Sequence, residues 1–139
     1  MELAGLFVAA FLAATILPLA SEVPLALLVS RDGDLFLPVA IATLGNYLGA
    51  CTTYALARAA SSRIGRATAV RSARALDWFQ RYGPPALLLS WVPLIGDGIV
   101  ILAGAARVPV GTFSFWTVLG KAARYLVVAW IAQSQSVRT

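Results

Sequence analysis

Pro18-Leu-Ala-Ser-Glu22-Val-Pro24 interrupts a region that is otherwise apolar from Leu3 to Leu17, and it sets one carboxylate between two prolines. Prolines lack an amide donor and disfavour helix in the residue before them, so the chain is expected to turn here and return over residues 23–30 as a second short helix. A carboxylate at membrane depth costs about 2.5–3.5 kcal/mol on insertion scales. Irregular backbone at that depth persists only where protein or a water-filled cavity covers it. Glu22 therefore reads as a site residue. The same device recurs at Pro93-Leu-Ile-Gly96-Asp97-Gly98, where Asp97 follows Pro93 by four residues as Glu22 follows Pro18.

The membrane reading rests on composition. Of 139 residues, 60% are hydrophobic and 12% charged, far from the balance of a soluble domain. The net charge of +5 is concentrated beside a hydrophobic segment, which fits cytoplasmic retention rather than nucleic-acid binding. There is no histidine, so the commonest general base and most transition-metal sites are missing. Cys51, the one cysteine, cannot form an internal disulfide and reads as a packing residue. No cofactor, metal site or nucleophilic triad can be assembled, so enzymatic hydrolysis or redox chemistry is not expected. Glu2 stands where a signal peptide would carry positive charge, so the N-terminal segment is expected to be retained.

Residues 3–17 are too short to span a bilayer alone, which takes roughly 20 apolar residues. With residues 23–30 they are expected to form a re-entrant hairpin closed by Arg31, Asp32, Gly33 and Asp34; a single kinked spanning helix is the alternative. Residues 35–57 are of spanning length. Gly45 and Gly49 form a small-xxx-small pair there, and Thr43, Asn46, Ala50, Thr53 and Tyr54 recur on a mildly polar face. Asn46, near mid-span, is expected to line the site. Residues 58–74 carry five arginines without an acidic residue and read as a cytoplasmic linker. Residues 71–82 read as a short interfacial amphipathic helix anchored by Trp78, Phe79 and Tyr82. A second short hairpin covers residues 86–106, broken by Pro93, Gly96 and Gly98. Residues 110–133 form a second crossing, with Lys121 and Arg124 near its midpoint and Thr117 one turn earlier.

An offset of 75 residues aligns Pro18 with Pro93, Glu22 with Asp97, Gly45 with Gly120 and Asn46 with Lys121, without a gap. The matches fall on breakers and polar sites, where coincidence has least to draw on. If each half is a re-entrant hairpin plus one crossing, each traverses the membrane once and the halves lie in opposite orientations. That is an inverted repeat, the architecture of alternating-access transporters. Two carboxylates, Glu22 and Asp97, then face two cations, Lys121 and Arg124. They are either structural counter-ions or a pathway in which a buried carboxylate takes a proton and frees a cation for an anionic substrate.

The stretches Pro-Leu-Ala-Ser-Glu-Val (18–23), Leu-Gly-Asn (44–46), Arg-Tyr-Gly-Pro (81–84), Ser-Trp-Val-Pro-Leu-Ile-Gly-Asp (90–97) and Leu-Gly-Lys-Ala-Ala-Arg-Tyr (119–125) resemble the YqaA branch of the DedA membrane proteins. That group is also called the VTT or SNARE-associated family. The resemblance spans almost the whole chain. It implies two facing re-entrant hairpins in a bacterial inner membrane and, for relatives, proton-motive-force-linked lipid flipping or scrambling, with Glu22 matching the family's acidic residue at the first hairpin. The chain departs from the best-known members at the second hairpin, where their two arginines are absent from Ser90, Trp91, Val92, Pro93 and Gly96. Ala50 likewise replaces the acidic residue four positions before Tyr54. Asp97, Lys121 and Arg124 are expected to restore those charges.

The resulting expectation is a single all-α membrane domain. It comprises repeat one over residues 3–57, a basic linker and interfacial helix over 58–82, and repeat two over 83–133. Its expected function is that of a carrier or scramblase for an anionic lipid or small anion, proton-coupled through Glu22 and Asp97. The alternative is a non-transporting membrane assembly or homeostasis factor whose buried charges are structural. Membrane lipids are the expected partners, and the Gly45/Gly49 face is the expected contact of a homodimer.

Overall fold

The computed structural model describes residues 2–15, 22–32, 34–63, 66–92 and 95–136. Within them the chain forms α1 (Glu2–Ala13), α2 (Glu22–Asp32), α3 (Phe36–Arg63), α4 (Arg66–Tyr82), a 3-10 helix (Pro84–Trp91), α5 (Ile95–Ala105) and α6 (Val110–Ser136). Pro18 and Pro93, expected as breakers, lie outside the described residues.

The ends of these elements follow local chemistry. Asp34 Oδ1 accepts from the Phe36 amide at 3.0 Å and caps the start of α3. Pro38 falls in that helix's first turn, where its missing amide has no intrahelical partner to lose. Gly83, at φ 72°, lets the chain leave α4 and enter Pro84-Pro85. At the end of α5 the Arg107 amide bonds to Gly104 and the Val108 amide to Ala103, both at 3.1 Å, which is a Schellman closure. Arg107 itself holds φ 55° there, a position glycine usually takes.

Pro24 lies in the first turn of α2, where the helix expected over residues 23–30 put it and where a missing amide costs little, but other expectations differ from the structure. Gly96 and Gly98 lie inside α5 with Asp97 between them, so they are not breakers. Gly96 is needed for approach: a Cβ there would strike the Ser90 backbone. The described residues of the linker expected over 58–74 are helical, because α3 runs on to Arg63 and α4 begins at Arg66. Alanine and arginine are good helix formers, so a run of positive charge does not stop a helix.

α6 contains the one segment among the described residues, Val110–Ser134, that is long and apolar enough to cross a membrane. α3 has 28 residues, about 42 Å at a rise of roughly 1.5 Å per residue, but its composition is too polar for the same criterion. Its mid-helix polar groups are turned inward: Asn46 and Tyr54 are both buried against other helices.

The packing is built on α3 and α6. α1 lies along α3 in the same direction, with Phe7 against Gly45, Phe11 against Gly49, and the Ala14 carbonyl accepting from Thr53 at 3.3 Å. α3 also carries α5, whose Gly104 meets the Tyr54 carbonyl. α6 carries the 3-10 helix, Gly120 facing the Leu88 carbonyl, and it also carries α2. Two apolar clusters result. Leu6, Leu25, Val29, Val39, Ala42, Tyr125 and Ala129 form one; Ala50, Tyr54, Leu87, Val100 and Phe113 belong to the other. Outside, Phe36, Leu44, Leu56, Phe115, Val127 and Trp130 are exposed, as suits a surface solvated by lipid.

The Gly45/Gly49 face is thus filled by α1 of the same chain, which removes it as a homodimer contact. A Cβ on Gly49 would stand 2.5 Å from the Phe11 carbonyl oxygen and 2.7 Å from Ala14 Cβ, whereas one on Gly5 meets nothing within 4 Å. Gly49→Ala should therefore lower stability by about 1–3 kcal/mol. Gly5→Ala should be neutral or raise it by roughly 0.5–1 kcal/mol through helix propensity. Thermal unfolding of the two purified variants in detergent checks this contrast.

Candidate functional site

α3 contributes Val39 and Ala42 to one apolar cluster and Ala50 and Tyr54 to the other, with Asn46 between them. α6 contributes Tyr125 and Ala129 to the first and Phe113 to the second, with Thr117 and Lys121 between. A polar layer is therefore enclosed between two apolar ones where the long helices cross. Lys121 is 3% exposed and its Nζ donates to Asn46 Oδ1. Asn46 Nδ2 in turn donates to the Ala10 carbonyl at 3.0 Å. One amide thus joins α1, α3 and α6, accepting from a charge and donating to a carbonyl, as its two ends require.

The second cation is held differently. Arg124 Nε donates to Glu22 Oε1 at 2.8 Å, and Nη2 donates to the same oxygen. This ion pair ties α2 to α6 across 102 residues of sequence. Arg124 is 14% exposed at its side chain and Glu22 42%, so the carboxylate is the outer partner. Asp97, half-buried in the first turn of α5, feels the charges of both Lys121 and Arg124 but makes no ion pair with either among the described residues. The four expected charges are therefore brought into one region as two direct contacts and one carboxylate held at a distance. Beside Arg124, a groove of about 310 Å³ opens among Leu88, Trp91, Gly120, Ala123 and Val127.

Other polar contacts were not apparent from the sequence. The Tyr54 hydroxyl donates to the Val108 carbonyl and accepts from Arg58 Nη1 at 2.7 Å, while its ring stacks on Phe113 at 4.4 Å. Arg58 reads in sequence as the start of a basic linker; its spacing of four from Tyr54 was the available signal, but the carbonyl partner lies across the fold. Tyr47 and Ser114 share a hydrogen bond of 2.6 Å between α3 and α6. Ser90 and Thr117 are buried, and their hydroxyls have no hydrogen-bond partner among the described residues.

An all-helical chain with an apolar exterior and charges gathered inside defines an integral membrane protein. The sequence profile of the VTT domain matches residues 17–134. The chain is 42% identical over 130 residues to the inner membrane protein YqaA of Escherichia coli K12, covering 93% of this chain and 89% of that protein. The YqaA protein of Shigella flexneri matches to the same extent. An uncharacterized protein of Haemophilus influenzae is 37% identical over 139 residues, with 94% and 87% covered. No solved structure matches the chain with significance. The chain belongs to the DedA/VTT family, in its YqaA branch, and is a protein of the bacterial inner membrane.

The Glu22–Arg124 contact is open to a double-mutant cycle. Glu22→Gln, Arg124→Gln and the double variant should show a coupling energy of about 1 kcal/mol, at the lower part of the range for contacting charges because Glu22 is partly exposed. Chemical unfolding in mixed micelles measures it. Additive single effects would show that the pair does not hold α2 to α6.

Proposed function

We propose that this protein is a membrane carrier or scramblase for an anionic lipid or small anion, coupled to protons through Glu22 and Asp97. The observation that carries this reading is the gathering of two carboxylates from two different short helices around two cations of α6, inside a membrane protein. Fully ionised, the four charges cancel. Protonation of either carboxylate leaves the region with a net positive charge, which an anionic headgroup can neutralise. Asp97, with no ion pair among the described residues, is the carboxylate whose protonation breaks none of the ion pairs described. Arg124 borders the groove on the 3-10 helix side of α6, a route by which an amphiphile could approach the charge from the bilayer.

The inverted repeat belongs to the same proposal. Each long helix carries the leading short helix of its own half and the trailing short helix of the other: α1 and α5 on α3, the 3-10 helix and α2 on α6. Asn46 and Lys121, which the repeat offset of 75 relates, touch each other. Equivalent positions of two repeats meet only on the axis relating them, so this contact supports a two-fold relation through the centre of the α3–α6 crossing. The parallel course of α1 and α3 requires the chain between them to return, which supports a re-entrant first hairpin. In this arrangement the basic stretch around Arg58 and Arg63 is cytoplasmic and both termini are periplasmic. A C-terminal alkaline phosphatase fusion should be active and the corresponding green fluorescent protein fusion dark. The reverse pattern would overturn the inverted repeat.

A second reading has its own observation in favour. The Glu22–Arg124 and Lys121–Asn46 contacts already satisfy much of the charge, as structural counter-ions in a non-transporting assembly or homeostasis protein would. The experiment that separates the readings is flipping of labelled anionic phospholipids in proteoliposomes, for wild type and for Glu22→Gln after both are shown to be folded. The proposal expects movement by wild type, accelerated by an imposed pH gradient, and at least roughly a tenfold loss in the variant, the loss of about 1.4 kcal/mol from the barrier stabilisation. Unfolding of Glu22→Gln, with no movement by wild type, would favour the structural reading.

A further inference from the structure

We propose that the polar layer between α6 and the 3-10 helix holds a bound water, ligated by the hydroxyls of Ser90 and Thr117 and by the ammonium of Lys121. This inference does not rest on transport activity. It rests on buried hydrogen-bonding capacity that the protein itself does not use. Thr117 is 0% exposed and Ser90 3%, and neither hydroxyl has a partner among the described residues; the Thr43 hydroxyl on α3 shares that condition. The contrast with other hydroxyls in the chain is informative. Ser30 and Thr52 each bond back to a carbonyl of their own helix four residues earlier, the ordinary resolution for a hydroxyl on a helix. The buried two do not take that option.

Their positions converge on Lys121. Thr117 precedes it by one helical turn, so the two side chains share a face of α6. Ser90 stands against Gly120, the residue before Lys121: a Cβ on that glycine would lie 3.3 Å from Ser90 Oγ. A Cβ there would also stand 2.7 Å from the Leu88 carbonyl oxygen, so glycine at 120 lets the 3-10 helix press onto α6 and brings the serine hydroxyl close to the α6 backbone beside Lys121. On the other side, the Ser90 backbone is pressed against Gly96, the residue before Asp97. An ammonium has three donors, of which Asn46 Oδ1 takes one. A water accepting from Lys121 and bonded to Ser90 and Thr117 would have three polar partners, the usual number for a buried water in a protein. Burying two hydroxyls and a partly used ammonium without it would cost more than any of the three contributes by packing. The charged and polar groups that act on Lys121 from the elements packed around it are Asn46 and Cys51 of α3, Asp97 of α5 and Arg124 of α6 itself. The water gives Lys121 and Asp97 a shared polar neighbourhood without direct contact.

The test compares Thr117→Val, Thr117→Ser and Ser90→Ala with wild type, all in lipid nanodiscs. Infrared spectra in ordinary and ¹⁸O-labelled water should show an isotope-sensitive, strongly hydrogen-bonded water band in wild type and Thr117→Ser. The band should be lost or shifted in Thr117→Val and Ser90→Ala. Thr117→Val should also melt roughly 3–6 °C below wild type, with Thr117→Ser closer to wild type. If the site is dry, removing an unsatisfied hydroxyl relieves a penalty, so Thr117→Val would melt at or above wild type and no band would differ. Either result would overturn the proposal. Should Thr117→Val fail to fold, the band in Ser90→Ala decides: its persistence unchanged would overturn the bound water.

Discussion

Lys121 imposes the constraint on which the arrangement depends. An ammonium 3% exposed at the middle of a helix must be hydrogen-bonded, because desolvation removes solvation that packing cannot replace. Asn46 meets that demand, and its amide can do so only with its nitrogen end directed elsewhere, to the Ala10 carbonyl. One charge on α6 therefore sets the register of α3 against α6 and of α1 against α3. The two apolar clusters above and below this layer hold it closed. The layer in turn prevents the helices from sliding, since a shift by one turn would leave the ammonium against hydrocarbon.

Helix association here follows membrane rules. Lipid tails are as apolar as leucine side chains, so burying leucine between helices gains little and close approach matters more. Gly45 and Gly49 admit the α1 backbone, Gly104 brings α5 onto α3, and Gly120 admits the 3-10 helix onto α6. Each of these glycines removes the side chain that would otherwise hold two helices apart. The polar contacts are then made over short reach: Thr53 to Ala14, Tyr54 to Val108, Tyr47 to Ser114. Glycine provides the proximity and the polar groups select which proximity is kept.

The two halves are related but not equivalent, and the difference is concentrated in charge. Asn46 is matched by Lys121 and Glu22 by Asp97, but Arg124 corresponds to Gly49. In the first half that position packs α1; in the second it binds Glu22. Glu22 therefore has an ion-pair partner on the opposite long helix, whereas Asp97 has none at the corresponding place. The charges are thus unevenly distributed between the two halves that the 75-residue offset aligns.

Much of this was legible in the chain. Composition alone placed the protein in a membrane, the rarity of charge in apolar segments singled out Glu22, Asp97, Lys121 and Arg124, because a charge in lipid is too costly to be incidental, and Asn46 stood out by its mid-span place on a polar face. The 75-residue offset paired Asn46 with Lys121 before any contact between them was known. What sequence could not decide was which groups satisfy which. Gly96 and Gly98 read as breakers but lie inside the first turn of a helix, since whether a glycine interrupts a helix or admits a neighbour depends on what packs beside it. Gly45 and Gly49 read as a surface for a second copy but receive α1 of the same chain, because small-residue spacing specifies close approach and not the identity of the approaching helix. Ser90, Thr117 and the Tyr54–Val108 contact stayed hidden for the same reason: a hydroxyl's role is set by burial and by its neighbour, and both are properties of the folded chain. Local chemistry determined where polarity sits along each helix; tertiary packing decided which polar groups meet.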